Sequence, residues 1–126
     1  MYSYFNPNPF GRRVGDCAVR AVSAALGQEW EKTYIDLCIQ GFLVGDLPNS
    51  NAVWDTYLKQ NGFKRYTLPD CPDCYTVNDF CRQNPSGVFV LGTGTHVVTV
   101  IDGCYKDAWD SGNEIIMYCY RKDEQI

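Results

Sequence analysis

Apolar and polar positions divide the chain into a helical first half and a strand-rich second half. Over residues 16–26, Ala18, Val19, Val22, Ala25 and Leu26 recur at helical spacing, with Asp16 as N-cap and Gly27 as the stop. This helix is apolar nearly all round, which predicts burial at the centre of a domain. A second helix is predicted over 29–40 from Trp30, Tyr34, Leu37 and Cys38, closed by Gly41. A loop over 42–50 comes next. Val53, Trp54, Tyr57 and Leu58 predict a third helix over 51–61, ended by Asn61-Gly62, and Phe63 to Leu68 reads as a short strand. Two prolines in Pro69-Asp70-Cys71-Pro72-Asp73-Cys74 forbid regular structure. Thr76 and Asp79 resemble a capping box for a short helix to about Gln83.

From Gly87 the texture changes. Residues 87–92 and 96–101 are compact apolar strands, and Asp102-Gly103 is a two-residue hairpin signal. Cys104 to Trp109 returns, Asp110-Ser111-Gly112-Asn113 turns, and Glu114 to Tyr120 is a last strand. Helices followed by an antiparallel sheet make an α+β layout. Residues 1–15, with two Asn-Pro pairs, read as an extended or turning arm.

Length and composition add limits. The 126 residues suit a single domain over 1–126, and a 45% hydrophobic content can build a real core. With a net charge of −4 and basic clusters no longer than Arg12-Arg13 and Arg121-Lys122, nucleic-acid binding is disfavoured. No apolar run approaches the ~18 residues of a membrane span, and the N-terminus lacks a signal-peptide pattern. Seven cysteines, an odd count, argue against a disulfide framework and for reduced thiols in a cytoplasmic protein.

Cys17 is the cysteine that carries candidate chemistry. In the first turn of a helix, unpaired N–H groups and the positive dipole end favour a thiolate. A nucleophile needs a base, and His96 is the one histidine in the chain. The hairpin tests whether an orienting acid is available. A two-residue turn at Asp102-Gly103 pairs Ile101 with Cys104, Val98 with Asp107 and His96 with Trp109. His96, Val98, Asp107 and Trp109 then share a face, with Asp107 diagonal to His96. Asp107 is thus the expected orienting residue, Asp110 the reserve, and Trp109 a packing residue beside the site.

This order of parts resembles the papain-like cysteine peptidase superfamily: a cysteine opening a central helix, a histidine starting a strand, an Asn or Asp on the next. Asp107-Ala108-Trp109 is similar to the Asn-Ser-Trp of the papain group, with Asp in the third role as in bacteriocin-processing relatives. Asn-Pro-Asn-Pro, Gly-Asp-Cys-x-x-Arg-Ala, His-Val-Val-x-Val-Ile-Asp-Gly and Asp-x-Trp-Asp-Ser also look like small papain-fold proteins of phages and gut Firmicutes. The resemblance implies a papain-like fold and a Cys17-His96-Asp107 triad. It departs from the family in one place. No glutamine precedes Cys17 to donate to an oxyanion, and Gly11 stands roughly there. The backbone N–H of Cys17 can serve as one donor, with Asn8 or Asn6 as the candidate second. Arg20, one turn into the helix, is a candidate anchor for the N-terminal arm.

The expected activity is hydrolysis of a peptide or amide bond through a thioester, with no cofactor, no metal, and a peptide or protein as partner. Two alternatives stay open: an inactive papain-fold module that binds a protein partner, and acyl transfer by the same triad. Cys71 and Cys74 lack the further ligands that zinc wants. Cys38, Cys104 and Cys119 are expected at inert core or sheet positions, and loops 42–50 and 69–75 at the rims of the cleft.

Overall fold

The computed structural model describes residues 1–68 and 75–122, so Cys71 and Cys74 lie outside the described residues, as does most of the rim expected at 69–75. In chain order the elements are β1 (Tyr2–Tyr4), α1 (Cys17–Leu26), α2 (Trp30–Val44), α3 (Asn51–Gln60), β2 (Phe63–Thr67), α4 (Val77–Gln83), β3 (Val88–Gly92), β4 (Val97–Ile101), β5 (Cys104–Asp107) and β6 (Tyr118–Lys122). The strands form one sheet in the order β1-β5-β4-β3-β6-β2. Every pairing is antiparallel except β1 with β5. The architecture of the described residues is α+β, four helices on a six-stranded mixed sheet.

Strand alternation gives the sheet two apolar faces. Val90, Val97 and Tyr120 face α1, α2 and α3, together with Val22, Leu37, Trp54 and Leu58. Leu91, Val98, Val100 and Cys119 face the other way, onto Val77, Phe80 and Cys81 of α4. Helix α1 lies against β4, where the Thr99 hydroxyl donates to the Ala21 carbonyl at 2.5 Å. Gly27, in the left-handed region at φ 62°, ends α1 by donating to Ala24 O as Gln28 N–H reaches Ser23 O. No helix among the described residues is long and apolar enough to cross a membrane.

Three boundaries differ from the sequence pattern, each for a local reason. Helix α2 passes Gly41 and stops at Gly45, whose φ is 78°. Gly41 admits the returning chain instead: a Cβ there would stand 2.6 Å from the Asp46 carbonyl oxygen. The last strand begins at Tyr118 rather than Glu114, because Ile116 N–H bonds Tyr75 O and Met117 N–H bonds Gly92 O outside the main ladder. The N-terminal arm carries a strand too short for a periodic signal. It pairs parallel to β5, with Tyr2 against Tyr105 and Tyr4 against Asp107, and makes the sheet mixed rather than antiparallel.

The β4–β5 hairpin has the expected register, Ile101 opposite Cys104 and Thr99 opposite Lys106. Asp102 at φ 49° and Gly103 at φ 76° give the turn the two positive values that a type I′ hairpin requires.

Gly92 closes β3 where the Tyr118 ring crosses its backbone, and a Cβ there would lie 2.1 Å from that ring. Gly92→Ala is expected to cost about 1–3 kcal/mol in urea unfolding, the usual penalty of overpacking. Gly94→Ala, whose Cβ would meet nothing nearer than Met117 Sδ at 4.0 Å, is the near-neutral control.

Candidate active site

Cys17 is the first residue of α1, half-buried, and lines a cleft of about 240 Å³. The cleft is lined by Gly15 and Cys17 on one side, by the turn from Thr93 to His96 on another, and by Asn51, Trp54 and Tyr118 on a third. His96 reaches this point because β3 and β4 are joined by that turn. Thr93 fixes it: its N–H donates to His96 O at 2.8 Å, and its hydroxyl accepts from His96 N–H at 3.0 Å.

His96 Nε2 lies 2.7 Å from Asp107 Oδ2, and the ring lines the same cleft as Cys17, near enough for each to shift the other's titration. With Nε2 held by the carboxylate, Nδ1 is the nitrogen left for sulfur. Trp109 covers the ring with centroids 4.8 Å apart. The structure thus joins Cys17, His96 and Asp107, with Trp109 beside them.

Asp107 is fully buried and its carboxylate has four partners. Oδ2 accepts from Ser111 Oγ at 2.6 Å as well as facing His96. Oδ1 accepts from Ala108 N–H at 2.8 Å and from Arg20 Nη2 at 3.0 Å. Arg20, also buried, pairs through Nη1 with Asp16 Oδ1, and Asp16 Oδ2 accepts from Trp30 Nε1 at 2.9 Å. The main chain is clamped too, since Phe5 N–H and the Tyr2 hydroxyl both donate to Asp107 O.

These contacts set the titration behaviour. Burial opposes the imidazolium, but the hydrogen bonds to Asp107 and Cys17 outweigh it and push the His96 pKa up to about 9. Burial likewise opposes the thiolate, yet the His96 hydrogen bond and charge, the Val97 N–H and the Arg20 charge bring the Cys17 pKa below the usual thiol value. For Asp107, burial is overcome by the His96 and Ser111 hydrogen bonds and by the His96 and Arg20 charges, which hold the carboxyl below its ordinary range. The raised His96 pKa and the lowered Cys17 pKa both favour the thiolate–imidazolium pair, the direction that nucleophilic attack by sulfur requires.

Several expectations need correcting. Asp110 does not orient His96; its carboxylate accepts from the Tyr105 hydroxyl and from Gly112 N–H. Asn8 does not line the cleft. Its side-chain oxygen accepts from Phe10 N–H at 2.8 Å and Arg12 N–H at 3.3 Å, an Asx-type turn, and Asn6 donates to Arg12 O. Asp16 makes no side-chain cap, because its carboxylate is spent on Arg20 and Trp30. Arg20 anchors two carboxylates rather than the arm; the arm's arginine is Arg13, which donates to Ala108 O.

Ser111, Thr93 and Asn51 carried no sequence signal beyond turn or helix-start composition. Asn51 matters because the indole of Trp54, a donor only, takes its Oδ1 at 3.1 Å. That leaves Nδ2 as the donor end of a cleft-lining amide. Cys38 and Cys104 are half-buried free thiols, and Cys81 and Cys119 are buried ones. Among the described residues no group of three or more His, Cys, Asp or Glu is placed to hold a metal.

No family model matches the chain, no curated protein matches it and no solved structure matches it. The case for chemistry at Cys17 therefore stands on its own geometry.

Arg20→Met strands two buried carboxylates. Removing one partner of such a pair costs about 3–5 kcal/mol, which urea unfolding at pH 7 is expected to read. Asp107 sets the sign with pH. A carboxyl held below its ordinary pKa of 3.8 stabilises the fold above that value and loses the contribution as pH falls through its lower folded value. The wild-type advantage over Arg20→Met is thus full at pH 7 and shrinks below about pH 4.

Proposed function

We propose that this chain is a papain-like cysteine hydrolase that cleaves a peptide or amide bond. The observation that carries the reading is the placement of Cys17 and His96 in one cleft, with His96 Nε2 2.7 Å from a fully buried Asp107. Cys17 Sγ attacks the carbonyl carbon as a thiolate, with its proton already on His96. The oxyanion is met by the Cys17 backbone N–H at the start of α1, and Asn51 Nδ2 takes the second donor role that Asn8 cannot fill. His96 then protonates the leaving amine, and the C–N bond breaks to leave a thioester on Cys17. Neutral His96 takes a proton from water, the hydroxide equivalent attacks the thioester, and the acid departs as the thiolate–imidazolium pair re-forms. Asp107 holds the ring by Nε2 throughout and stabilises its charged form. An amine in place of water would make the same relay an acyl transferase.

The alternative of a partner-binding module without activity predicts an ordinary thiol, and alkylation separates the two. Cys17 is expected to react with iodoacetamide well below pH 7, where a free thiol is protonated. The ion-pair share of this reactivity disappears as pH rises through about 9 and His96 loses its proton. His96→Ala should return the profile to that of an unperturbed thiol. Asp107→Asn should lower the upper limb and leave the thiol sluggish at neutral pH. Wild-type Cys17 alkylating no faster than a small free thiol at pH 6 would sink the enzyme reading.

A second readout is steady-state labelling by a peptidyl acyloxymethyl ketone, read by intact mass. Labelling should be confined to Cys17, absent in Cys17→Ala, and reduced about 10²–10⁴-fold in His96→Ala, the usual share of general acid–base catalysis.

A further inference from the structure

The cleft beside Cys17 does not end at Tyr118. A second concavity, lined by Asn51, Trp54, Asp55, Arg65, Tyr118 and Tyr120, shares Asn51, Trp54 and Tyr118 with the first. The two concavities adjoin at these three residues, with Cys17 lining the first and Arg65 lining the second. Arg65 belongs to β2, at the edge of the sheet, directly opposite Tyr120.

Arg65 is exposed, and its guanidinium lies over an aromatic ring. The Arg65 Cζ stands 4.4 Å from the centroid of the Tyr118 ring. That ring passes close to the Gly92 backbone and lies nearly parallel to the Trp54 indole, with centroids 6.4 Å apart. A guanidinium laid on an aromatic face keeps its planar edge of N–H donors for another acceptor. No carboxylate of the described residues lies within ion-pair distance of it. The neighbouring acid, Asp55, is engaged elsewhere: it accepts from the Tyr120 hydroxyl and pairs with Lys59 at 3.1 Å. Burial raises the Tyr118 hydroxyl pKa, while Arg65 draws it down and Cys17 pushes it up, so one ring lies within electrostatic range of both.

We propose that Arg65 is the specificity residue of this site and selects substrates that place a carboxylate, a side-chain one or a terminal one, against Tyr118 close to the bond Cys17 attacks. The inference rests on the reading of Cys17 as nucleophile. A planar, pre-positioned guanidinium fits a carboxylate through two parallel N–H···O bonds, a match that neither an amide nor an ammonium reproduces. Tyr118 contributes by fixing the guanidinium, which lowers the ordering cost of the contact.

The test uses epoxysuccinyl probes, whose electrophile sits mid-molecule so that short peptide arms extend on either side of Cys17. Sulfur opens the epoxide, a C–S bond forms as C–O breaks, and His96 gives its proton to the alkoxide. Probes come in pairs that differ by Glu against Gln at one position, or by a free against an amidated C-terminus, and labelling rates are read by intact mass. In the wild type at least one carboxylate probe should label about tenfold faster than its amide twin, the factor one charge-assisted contact provides. A Glu/Gln pair or a terminus pair showing that difference identifies which carboxylate is read. Arg65→Met should erase the preference, Arg65→Lys should keep only part of it, and Arg65→Glu should reverse it toward Lys-bearing probes.

Iodoacetamide carries no arm and should alkylate all four proteins alike, which separates loss of selection from loss of the nucleophile. If iodoacetamide reports an ordinary thiol, equilibrium binding of the matching Glu and Gln peptides to Cys17→Ala still tests Arg65, with the same tenfold preference expected. Equal rates for every pair in the wild type, or a preference that survives in Arg65→Met, would overturn the assignment.

Discussion

Five ionisable groups of alternating sign run through the interior: Asp16, Arg20, Asp107, His96 and Cys17. The other features of the site depend on this chain of charges. Each charge is flanked by its opposite, so the cost of taking any one out of water is met by neighbours at hydrogen-bond distance. The arrangement is also self-enforcing. Arg20 lowers the Asp107 pKa, Asp107 raises that of His96, and His96 lowers that of Cys17. Helix α1 and its N-cap supply three of the five groups, and the helix dipole favours the acid and the thiolate at its start. The remaining two come from the residue just before β4 and from the end of β5, adjacent strands in the sheet.

Two local devices give that pairing its geometry. The β3–β4 turn is tied internally by Thr93, which fixes the height of His96 above the sheet. At the other strand end, the N-terminal arm lies parallel to β5 and bonds the carbonyl of Asp107, while Arg13 holds the next carbonyl along. The arm is thus a brace on the acid rather than a donor to the reacting group. This explains why its asparagines turn inward on their own loop: Asn8 and Asn6 shape the bend that carries the chain from β1 back to α1. Tyr2, at the far end of the arm, packs its ring on Tyr105 and donates to the same Asp107 carbonyl.

The legible parts of this structure were those written in local chemistry. Gly27, Asp102-Gly103 and the Thr76-Asp79 capping box determined their elements because each answers a backbone requirement on the spot. Hairpin register placed Asp107 next to His96 for the same reason, since a two-residue turn leaves no freedom in the pairing of the strands it joins. The features that escaped depend on partners distant in sequence. Gly41 looks like a stop until the chain returning through Asp46 is seen to fill its empty side. Asp16 looks like a cap until Arg20 and Trp30 claim its oxygens. Ser111 and Asn51 were invisible because a lone hydroxyl or amide in a turn has no periodicity, and each gains meaning from one contact, to Asp107 and to Trp54 respectively.

A purely structural account of the charge chain explains only part of it. Asp16, Arg20 and Asp107 satisfy one another, and with Trp30, Ser111 and the Ala108 N–H they would form a closed polar core by themselves. Extending the chain to His96 and Cys17 adds two more desolvated charges and gains no packing that an apolar pair could not supply at lower cost. The extension also reaches a half-buried thiol that lines a cleft. A protein holds such a perturbed pair in an open concavity when the pair meets something that enters it. The same reasoning reaches Arg65, a second cation in the adjoining concavity with no carboxylate partner within the described fold. On the proposed reading, Cys17 and Arg65 flank the ring of Tyr118, the sulfur to meet a carbonyl and the guanidinium to meet a charge beside it.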